Sequence, residues 1–379
     1  MLSSGHYQIL STLSRSGARS RTELATELGL SKAAISALVR DLLDQDILCE
    51  QEPVYGAGRP SVPLVVRANA ASFIGISLQD DPAVVVLTDL HGATLHRVEV
   101  PRLADPEACV ALLVKTIKNL RNALGKESGK LSGIGLALPG FVARDRQTCM
   151  ACTALGWRNI NIGAALAEKT GLPVWVENDA KALILGEQLF GTLKGSPDFS
   201  MIFVSHGIGC AHIVNGRLLW GNAGGAGEIS HAPITVDAKQ ALPCRCGNRG
   251  CLETVASLLA ISNAARQAGL PASTRELTLL AAEGHAEALT ILHRAGSAMG
   301  IATAQLIQML DPSHVVVMLD PALKDGVYGH ALQHEAESHI LHRTNAHTMI
   351  NFRDFEPESF ARGAASLAAR YFIFGNGGV

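Results

Sequence analysis

The chain has 379 residues, 47% of them hydrophobic, with 32 lysines and arginines against 34 aspartates and glutamates. This length is enough for two or three domains, and a net charge of −2 neither favours nor excludes nucleic acid binding. No hydrophobic run is long enough to span a bilayer, no signal peptide is visible, and eight cysteines fit a reducing compartment, so we expect a cytoplasmic protein without membrane insertion.

Three short helical patterns, separated by glycines, open the chain. Apolar residues recur at helical spacing before Gly17, again before Gly29, and then in a segment that Ser31 can cap. A short helix, a glycine-containing turn and a longer capped helix form a helix-turn-helix, in which the start of the last helix enters the major groove of DNA. The residues expected to face DNA there are Ser31, Lys32, Ala33, Ser36 and Arg40.

A glycine-rich turn and an apolar strand follow, which is the pattern of a wing. The turn contains Gly56, Gly58 and Arg59, and residues 63–66 form the strand. Such a turn can lower Arg59 into a narrow minor groove, where negative potential is focused. Residues 1 to 67 hold seven basic and seven acidic residues, so DNA binding requires a basic face rather than a basic domain. That face is assigned to Arg15, Arg19, Arg21, Lys32 and Arg40. The alternative is a small helical bundle that binds a protein.

The next segment predicts an α/β lobe. Residues 73–78, 83–92 and 93–100 form three successive strands, a plan typical of the actin-like, ribonuclease H-like fold. The turn between the first two strands, residues 77–82, contains no glycine, so its backbone amides cannot form a close phosphate cradle. A helix over about residues 106–124 covers the sheet, and a later strand ends at Gly140.

Two cysteines in this segment have the spacing of a redox motif. Cys149 and Cys152 are separated by two residues. Because no second cysteine pair and no thioredoxin-like context accompany them, they are interpreted as ordinary thiols.

A polar cluster ends the strand that begins at Val174. The strand runs into Glu177, Asn178 and Asp179, and a helix is predicted to begin near Lys181. Ligands of open α/β sheets collect at such strand ends. The alternative role for Asp179 is the N-cap of that helix.

A metal-binding pattern lies in the second half of the chain, after a strand and glycine turn at residues 200–211 that repeat the plan of the first lobe. Three cysteines and one histidine are a tetrahedral zinc set, and Gly247 and Gly250 let the backbone turn tightly around an ion. Four protein ligands leave no open position, so the predicted zinc is structural. Its ligands are His231, Cys244, Cys246 and Cys251. The alternative is three free thiols near a surface histidine.

The motif Gly-Glu-x-x-His, followed by Cys-x-Cys-Gly-x-x-Gly-Cys-Leu-Glu, resembles the signature of the ROK family, which unites sugar kinases with sugar-responsive repressors. The resemblance extends over nearly the whole chain. It implies an α/β two-lobe sugar-kinase fold of the actin-like class, preceded by a winged helix-turn-helix domain. The domains expected are residues 1–69, residues 70–185 with the terminal helix 358–379, and residues 186–357.

The resemblance also implies a sugar site. Asn178 and Asp179 match family residues that hydrogen-bond sugar hydroxyls, and Gly140 belongs to a Pro-Gly that closes over the sugar. Across the cleft between the lobes the family contributes further polar groups, which correspond here to Glu228, His231 and Glu253. The alternative is that both glutamates only brace the zinc loop.

Three nucleotide-binding elements of the related kinases are altered. The first turn, Asp-x-Gly-Gly-Thr in kinases, is the glycine-free turn at residues 77–82. In the second turn, Ser-His at 205–206 and Cys-Ala at 210–211 replace residues of Gly-Thr-Gly-Ile-Gly-Gly-Gly. Leu-Asp at 319–320 stands where the kinases have Gly-Gly beneath the adenine. A competent ATP site is therefore not expected.

These observations leave three hypotheses. The first is a transcription factor, a homodimeric repressor that binds an operator and releases it when a sugar binds. The second is an active ATP-dependent sugar kinase with an attached DNA-binding domain, in which Asp179 is the catalytic base. The third is a regulator whose sugar cleft is vestigial and which answers to a protein.

Overall fold

The computed structural model divides into two compact units, residues 1–195 with 357–379 and residues 196–356. The residues that it describes are 2–55, 60–125, 129–235, 237, 239, 241–341, 348–356 and 358–375. The division into three domains made from the sequence stays a prediction. Within the described residues, no helix is both long and apolar enough to cross a membrane.

The first unit begins with the predicted helix-turn-helix. Its helices are α1 Ser4–Ser16, α2 Arg21–Leu28 and α3 Lys32–Asp44. The side chain of Ser20 accepts a hydrogen bond from the N–H of Glu23, and that of Ser31 accepts one from Ala34. Both later helices are therefore capped by serine, and the cap at Ser31 is the predicted one. Gly29, with φ of 65°, ends α2 in the left-handed region that favours glycine.

A small antiparallel sheet completes this part of the chain. Its strands are β1 Arg19–Ser20, β2 Leu48–Glu50 and β3 Pro63–Val66, in the order β1-β3-β2. Val54 and Ser61 pair beyond the ends of β2 and β3, as the two arms of a wing do. Arg59, predicted to be at the tip of the wing, lies outside the described residues.

The first α/β sheet follows, together with a small side sheet in the order β10-β9-β8. The main sheet has the order β11-β7-β4-β5-β6, with β4 antiparallel to β5 and parallel to β7. The strands are β4 Ser72–Ser77, β5 Ala83–Asp89, β6 Thr94–Val100, β7 Leu131–Leu138, β8 Phe141–Val142, β9 Cys149–Cys152, β10 Trp157–Ile160 and β11 Val174–Asn178. The helices are α4 Pro106–Ala123, α5 Ile162–Thr170 and α6 Asp179–Phe190.

The second unit repeats the same sheet plan, as predicted. Its order is β14-β13-β12-β15-β16, and β12, like β4, has one antiparallel and one parallel neighbour. The strands are β12 Phe199–Val204, β13 Ile208–Val214, β14 Arg217–Leu218, β15 His314–Leu319 and β16 Met349–Asp354. The helices are α7 Glu253–Ala256, α8 Leu258–Gln267, α9 Thr274–Ala282, α10 Ala286–Leu310, α11 Pro321–Lys324 and α12 Val327–His339.

The terminal helix α13, Glu358–Phe374, returns to the first unit. It packs directly on the sheet. The approach is so close that a Cβ added to Gly135 of β7 would lie only 1.7 Å from the carbonyl oxygen of Ala364. Its far end belongs to the same hydrophobic core as Ile9 and Leu10 of α1. The DNA-binding helices and the α/β fold are thus packed together through α13.

One member of the predicted basic face also contacts the terminal helix. The guanidinium of Arg15 lies 5.2 Å from the ring centroid of Phe374, over the face of the ring. Arg15 is exposed and keeps its positive charge while it contacts this ring, so its assignment to the DNA-facing side stays a prediction.

Candidate functional site

The residues predicted to face DNA lie at the start and along the outer side of α3. Ser31, Lys32, Ala33 and Arg40 are exposed, and Ser36 is half-buried. The hydroxyl of Ser36 donates a hydrogen bond to the carbonyl of Lys32, 2.8 Å away. Small side chains around two exposed cations allow a helix to approach a groove closely.

Two other cations of the predicted basic face have acidic partners. Arg19 lies 3.5 Å from Glu27, and Arg21 donates a hydrogen bond of 2.7 Å to Glu50. Each partner cancels part of the charge that DNA would meet. Among the described cations of the predicted face, Lys32 and Arg40 are the two exposed ones on α3.

The polar cluster at the end of β11 brings three predicted sugar-site residues together. The amide Nδ2 of Asn178 donates to Oδ1 of Asp179 at 2.9 Å and to the carbonyl of Gly140 at 3.3 Å. Asn178 also caps α6, since its Oδ1 accepts from the N–H of Lys181. The helix begins at Asp179 rather than near Lys181, and the N-cap role considered for Asp179 belongs to Asn178.

A buried carboxylate lies immediately before this cluster. Glu177 is 1% exposed, and its Oε2 lies 3.6 Å from the guanidinium of Arg146. Burial raises the pKa of Glu177, while the Arg146 cation, the N–H of Asn178 and Lys181 act in the opposite direction. β11 thus carries a buried titratable carboxyl immediately before Asn178 and Asp179.

The turn at residues 77–82 already uses the groups that a phosphate would need. The N–H of Leu78 donates to the carbonyl of Ala137, and the N–H of Gln79 lies 3.3 Å from the hydroxyl of Ser77. Arg102 donates to the carbonyl of Gln79 at 2.9 Å. Two amides and one carbonyl of the glycine-free turn are thus engaged in hydrogen bonds within the protein.

The cysteines of the redox-like motif are buried strand residues. Cys149 and Cys152 both lie in β9 and carry free thiols. Burial, followed by the neighbouring Cys152, raises the pKa of Cys149 to about 12. A thiol that stays protonated at neutral pH is a poor nucleophile, which agrees with an ordinary structural role.

The predicted metal ligands converge in the second unit. One ligand atom from each of His231, Cys244, Cys246 and Cys251 can be chosen so that all lie within 4.8 Å of one another. Nδ1 of His231 is 3.6 Å from the sulfur of Cys244, and the sulfurs of Cys246 and Cys251 are 3.7 Å apart. Donors about 2.1 to 2.3 Å from a tetrahedral zinc ion lie roughly 3.4 to 3.8 Å from one another. The four residues therefore fit a metal ion of this kind.

A tight turn produces this convergence. The N–H of Cys244 donates to the carbonyl of Asn248, and the N–H of Gly247 donates back to the carbonyl of Cys244. Gly247 and Gly250 have φ of 94° and 73°, values that side chains rarely adopt. The glycines of the motif are required by the backbone of the turn.

The two glutamates of the predicted sugar site lie on either side of the metal cluster. Glu228 is exposed and precedes the 3₁₀ turn Ile229–His231, whereas Glu253 is buried at the start of α7. The ring of His231 turns Nδ1 toward the sulfur of Cys244.

Sequence reasoning missed one residue of this cluster. Arg245 binds Glu253 through two hydrogen bonds of 2.8 Å, from Nη2 to Oε2 and from Nε to Oε1. The sequence did contain a signal for this residue: Arg245 is a charged residue between two predicted metal ligands, so its backbone position is fixed when a metal is bound. Its partner could not be identified from spacing alone.

Comparison with known proteins gives a consistent set of relatives. The sequence profile of the ROK family matches residues 73–371, and that of the MarR family matches residues 2–60. The xylose repressor of Bacillus subtilis (strain 168) is 29% identical over 300 residues, which cover 79% of this chain and 77% of the repressor. A glucokinase of Halalkalibacterium halodurans is 34% identical over 207 residues, covering 51% of this chain and 62% of the kinase.

A solved structure matches nearly the whole fold. The crystal structure of a ROK family transcriptional regulator, a homolog of the Escherichia coli MLC protein, superposes with a TM-score of 0.82. The two chains are 26% identical, and the match covers 98% of this chain and 96% of the other. The helix-turn-helix and the α/β fold thus occur together in a solved regulator.

Proposed function

We propose that this chain, which belongs to the ROK family, is a sugar-responsive DNA-binding transcriptional repressor of carbohydrate-metabolism genes. Its kinase-like fold binds a sugar and does not phosphorylate it. The observation that carries the proposal is the combination of an exposed Lys32 and Arg40 on α3 with a glycine-free turn at residues 77–82, in which the amides of Leu78 and Gln79 are already hydrogen-bonded inside the protein.

DNA binding follows from the first part of that observation. Two exposed cations at the N-terminal half and outer side of a recognition helix neutralise phosphates, and the small residues between them let base edges be read. The repressor acts as a homodimer, or a dimer of dimers, on two half-sites in the cytoplasm.

Sugar binding follows from the polar clusters. Carboxylates and amides suit hydroxyl groups, each of which donates and accepts a hydrogen bond. The proposed sugar-binding residues are Gly140, Asn178, Asp179, Glu228, His231 and Glu253. Zinc is the proposed metal at the histidine and three cysteines, where it supplies a structural cross-link.

Two binding measurements test the function. Fluorescence anisotropy with DNA from upstream of the chain's own gene should show binding, which D-xylose, D-glucose or N-acetyl-D-glucosamine should weaken. R40Q should weaken binding and reduce the slope of log affinity against log salt by about one, because one phosphate contact is lost. R121Q, an exposed arginine at the end of α4, is the matched control and should bind as the wild type does.

Two outcomes would contradict the proposal. An absence of DNA binding would exclude a repressor, and binding that no sugar changes would favour the regulator that answers to a protein. In the latter case D179A should leave regulation intact.

The glucokinase relative favours a second candidate, a sugar kinase with an attached DNA-binding domain. That relative matches about half of this chain. Turnover of ATP separates the two functions.

A further inference from the structure

The side chain of Arg245 reaches across the metal loop to the carboxylate of Glu253. Both contacts are 2.8 Å long, and each uses a different oxygen of the carboxylate and a different nitrogen of the guanidinium. This is a planar, two-point pair, which fixes both the position and the rotation of a carboxylate. The arginine side chain is 55% exposed and the glutamate side chain 8% exposed. The exposed arginine therefore fixes the position of a buried carboxylate.

The backbone of Arg245 is itself constrained. Its two neighbours in the chain, Cys244 and Cys246, both belong to the group that fits a metal. With an ion bound, the backbone of Arg245 is held in place by a metal ligand on each side. The metal loop then determines where the guanidinium lies, and the guanidinium determines where the carboxylate of Glu253 lies.

The second glycine turn makes room for this pair. A Cβ on Gly207 would lie 2.6 Å from Nη2 of Arg245 and 3.0 Å from Oε2 of Glu253. Any side chain at position 207 would therefore push against the pair from the opposite side. The pair of Arg245 and Glu253 is thus the point where three parts of the second unit meet: the metal loop, the start of α7 and this turn.

We propose that Arg245 is a positioning residue of the sugar site, which acts by holding the carboxylate of Glu253 in one orientation as a hydrogen-bond acceptor. The inference rests on the proposed function. A carboxylate has about four lone-pair sites, and the arginine uses one on each oxygen. The sulfur of Cys244 also lies 3.9 Å from Oε1. With the carboxylate fixed, its remaining lone pairs keep fixed directions, so they accept hydrogen bonds only from hydroxyls at a matching spacing. Arg245 thereby determines which sugars the site takes.

The main experiment measures the sugar response of R245Q and R245K. The probe is whichever of D-xylose, D-glucose and N-acetyl-D-glucosamine most stabilises the zinc-loaded wild type against heat. The sugar concentration that releases half of the operator DNA should rise about tenfold or more in R245Q, since a charge-assisted pair is lost. R245K should remain impaired, because an ammonium cannot form the two-point contact. Full rescue by lysine would overturn the inference.

The control variant is R249Q, which changes an exposed arginine of the same loop. It should respond to sugar as the wild type does, and its zinc content should be one ion per chain. If R245Q and R249Q respond alike, Arg245 has no positioning role.

A double-mutant cycle separates positioning from direct sugar binding. The affinity for the probe sugar is measured by calorimetry in the wild type, R245Q, E253Q and R245Q/E253Q. If the arginine acts through the glutamate, R245Q should have little further effect in the E253Q background. An equal loss in both backgrounds would mean that Arg245 acts independently, and would overturn the inference.

G207A tests the same pair without changing either charge or any metal ligand. It should weaken the sugar response in the same direction as R245Q while zinc content stays at one ion per chain. A wild-type response in G207A and in R245Q would contradict the inference.

A spectroscopic measurement needs no sugar. In arginine labelled with ¹⁵N, the Nε–H of Arg245 should exchange slowly with water in the zinc-loaded wild type and rapidly in E253Q. If the wild type shows this protection but no sugar shifts its unfolding temperature, the proposed function fails and this inference fails with it. If sugars bind but the protection is absent, the inference alone fails.

Discussion

The buried carboxylate of Glu177 makes the stability of the first unit depend on pH. Burial raises its pKa, so the folded protein binds this proton more tightly than the unfolded chain does. The stabilisation is fully present below the ordinary glutamate pKa of about 4.3 and is lost as the pH rises through the raised value. Glu177→Gln removes this titration. The unfolding temperature of the wild type should therefore fall relative to that of E177Q as the pH rises from about 4 through the raised pKa of Glu177.

The measurement is calorimetry at a series of pH values, with E168Q as the control. Glu168 is exposed on α5, so its replacement should leave the pH profile of the wild type unchanged. Parallel profiles for the wild type and E177Q would show that the Arg146 cation, 3.6 Å from the carboxylate, offsets its burial.

In the metal loop, replacement of a single ligand should strongly weaken zinc binding. Cys246 is exposed and packs little, so Cys246→Ser removes a metal ligand without opening a cavity. Zinc affinity should fall by more than about a hundredfold, since four ligands share a binding free energy of about 10 to 16 kcal/mol. Zinc per chain, measured by mass spectrometry after dialysis against a chelator, should drop well below one.

C49S is the matched control, because Cys49 lies in β2, outside the metal group. It should retain the zinc content of the wild type. Equal zinc in C246S and the wild type would contradict the assignment of this cysteine as a ligand.

The contact between α13 and the first sheet depends on glycine. A Cβ on Gly135 would lie 1.7 Å from the carbonyl oxygen of Ala364 and 2.5 Å from its carbonyl carbon, and backbone atoms cannot move aside as a side chain can. Gly135→Ala should therefore lower the free energy of unfolding by about 3 kcal/mol. G225A, where no heavy atom lies within 4 Å of the added Cβ, is the control. Calorimetric unfolding temperatures that agree for both variants would exclude this close approach.

The elements that could be predicted are those that local chemistry determines. Ser20, Ser31 and Gly29 begin and end their helices through hydrogen bonds and backbone angles within a few residues, so their pattern is visible in the sequence. The metal group was predictable for the same reason, since its glycines and three of its ligands lie in one turn.

What could not be predicted depends on residues far apart in the chain. The stacking of Arg15 on Phe374 joins the two ends of the chain, and no spacing rule relates them. The start of α6 was misplaced because Asn178, rather than a later residue, provides the cap. The partner of Arg245 likewise depends on how the metal loop meets α7, which only the folded chain specifies.

At the scale of the whole chain, each unit carries the same strand order but neither keeps the kinase turns intact. In the first unit the turn at residues 77–82 is held by Arg102, whose Nη1 donates to the carbonyl of Gln79. In the second unit Asp320, which stands where the kinases have glycine, caps α11 by accepting from the N–H of Ala322 at 2.8 Å. Arg102 and Asp320 thus form structural hydrogen bonds at positions where the kinase turns contact the nucleotide.

The chain should therefore bind sugar without consuming ATP. A sugar that binds only the folded protein raises its unfolding temperature, whereas magnesium ATP should not, because the amides of Leu78 and Gln79 are already hydrogen-bonded. A coupled assay with D-glucose or D-xylose should show no ADP above the rate without sugar, while the Halalkalibacterium halodurans glucokinase run in parallel provides the positive control. Sugar-dependent ADP formation that D179A abolishes would identify Asp179 as a catalytic base and the chain as a kinase. Formation that persists in D179A would instead come from a contaminating enzyme and leave the sensor function standing.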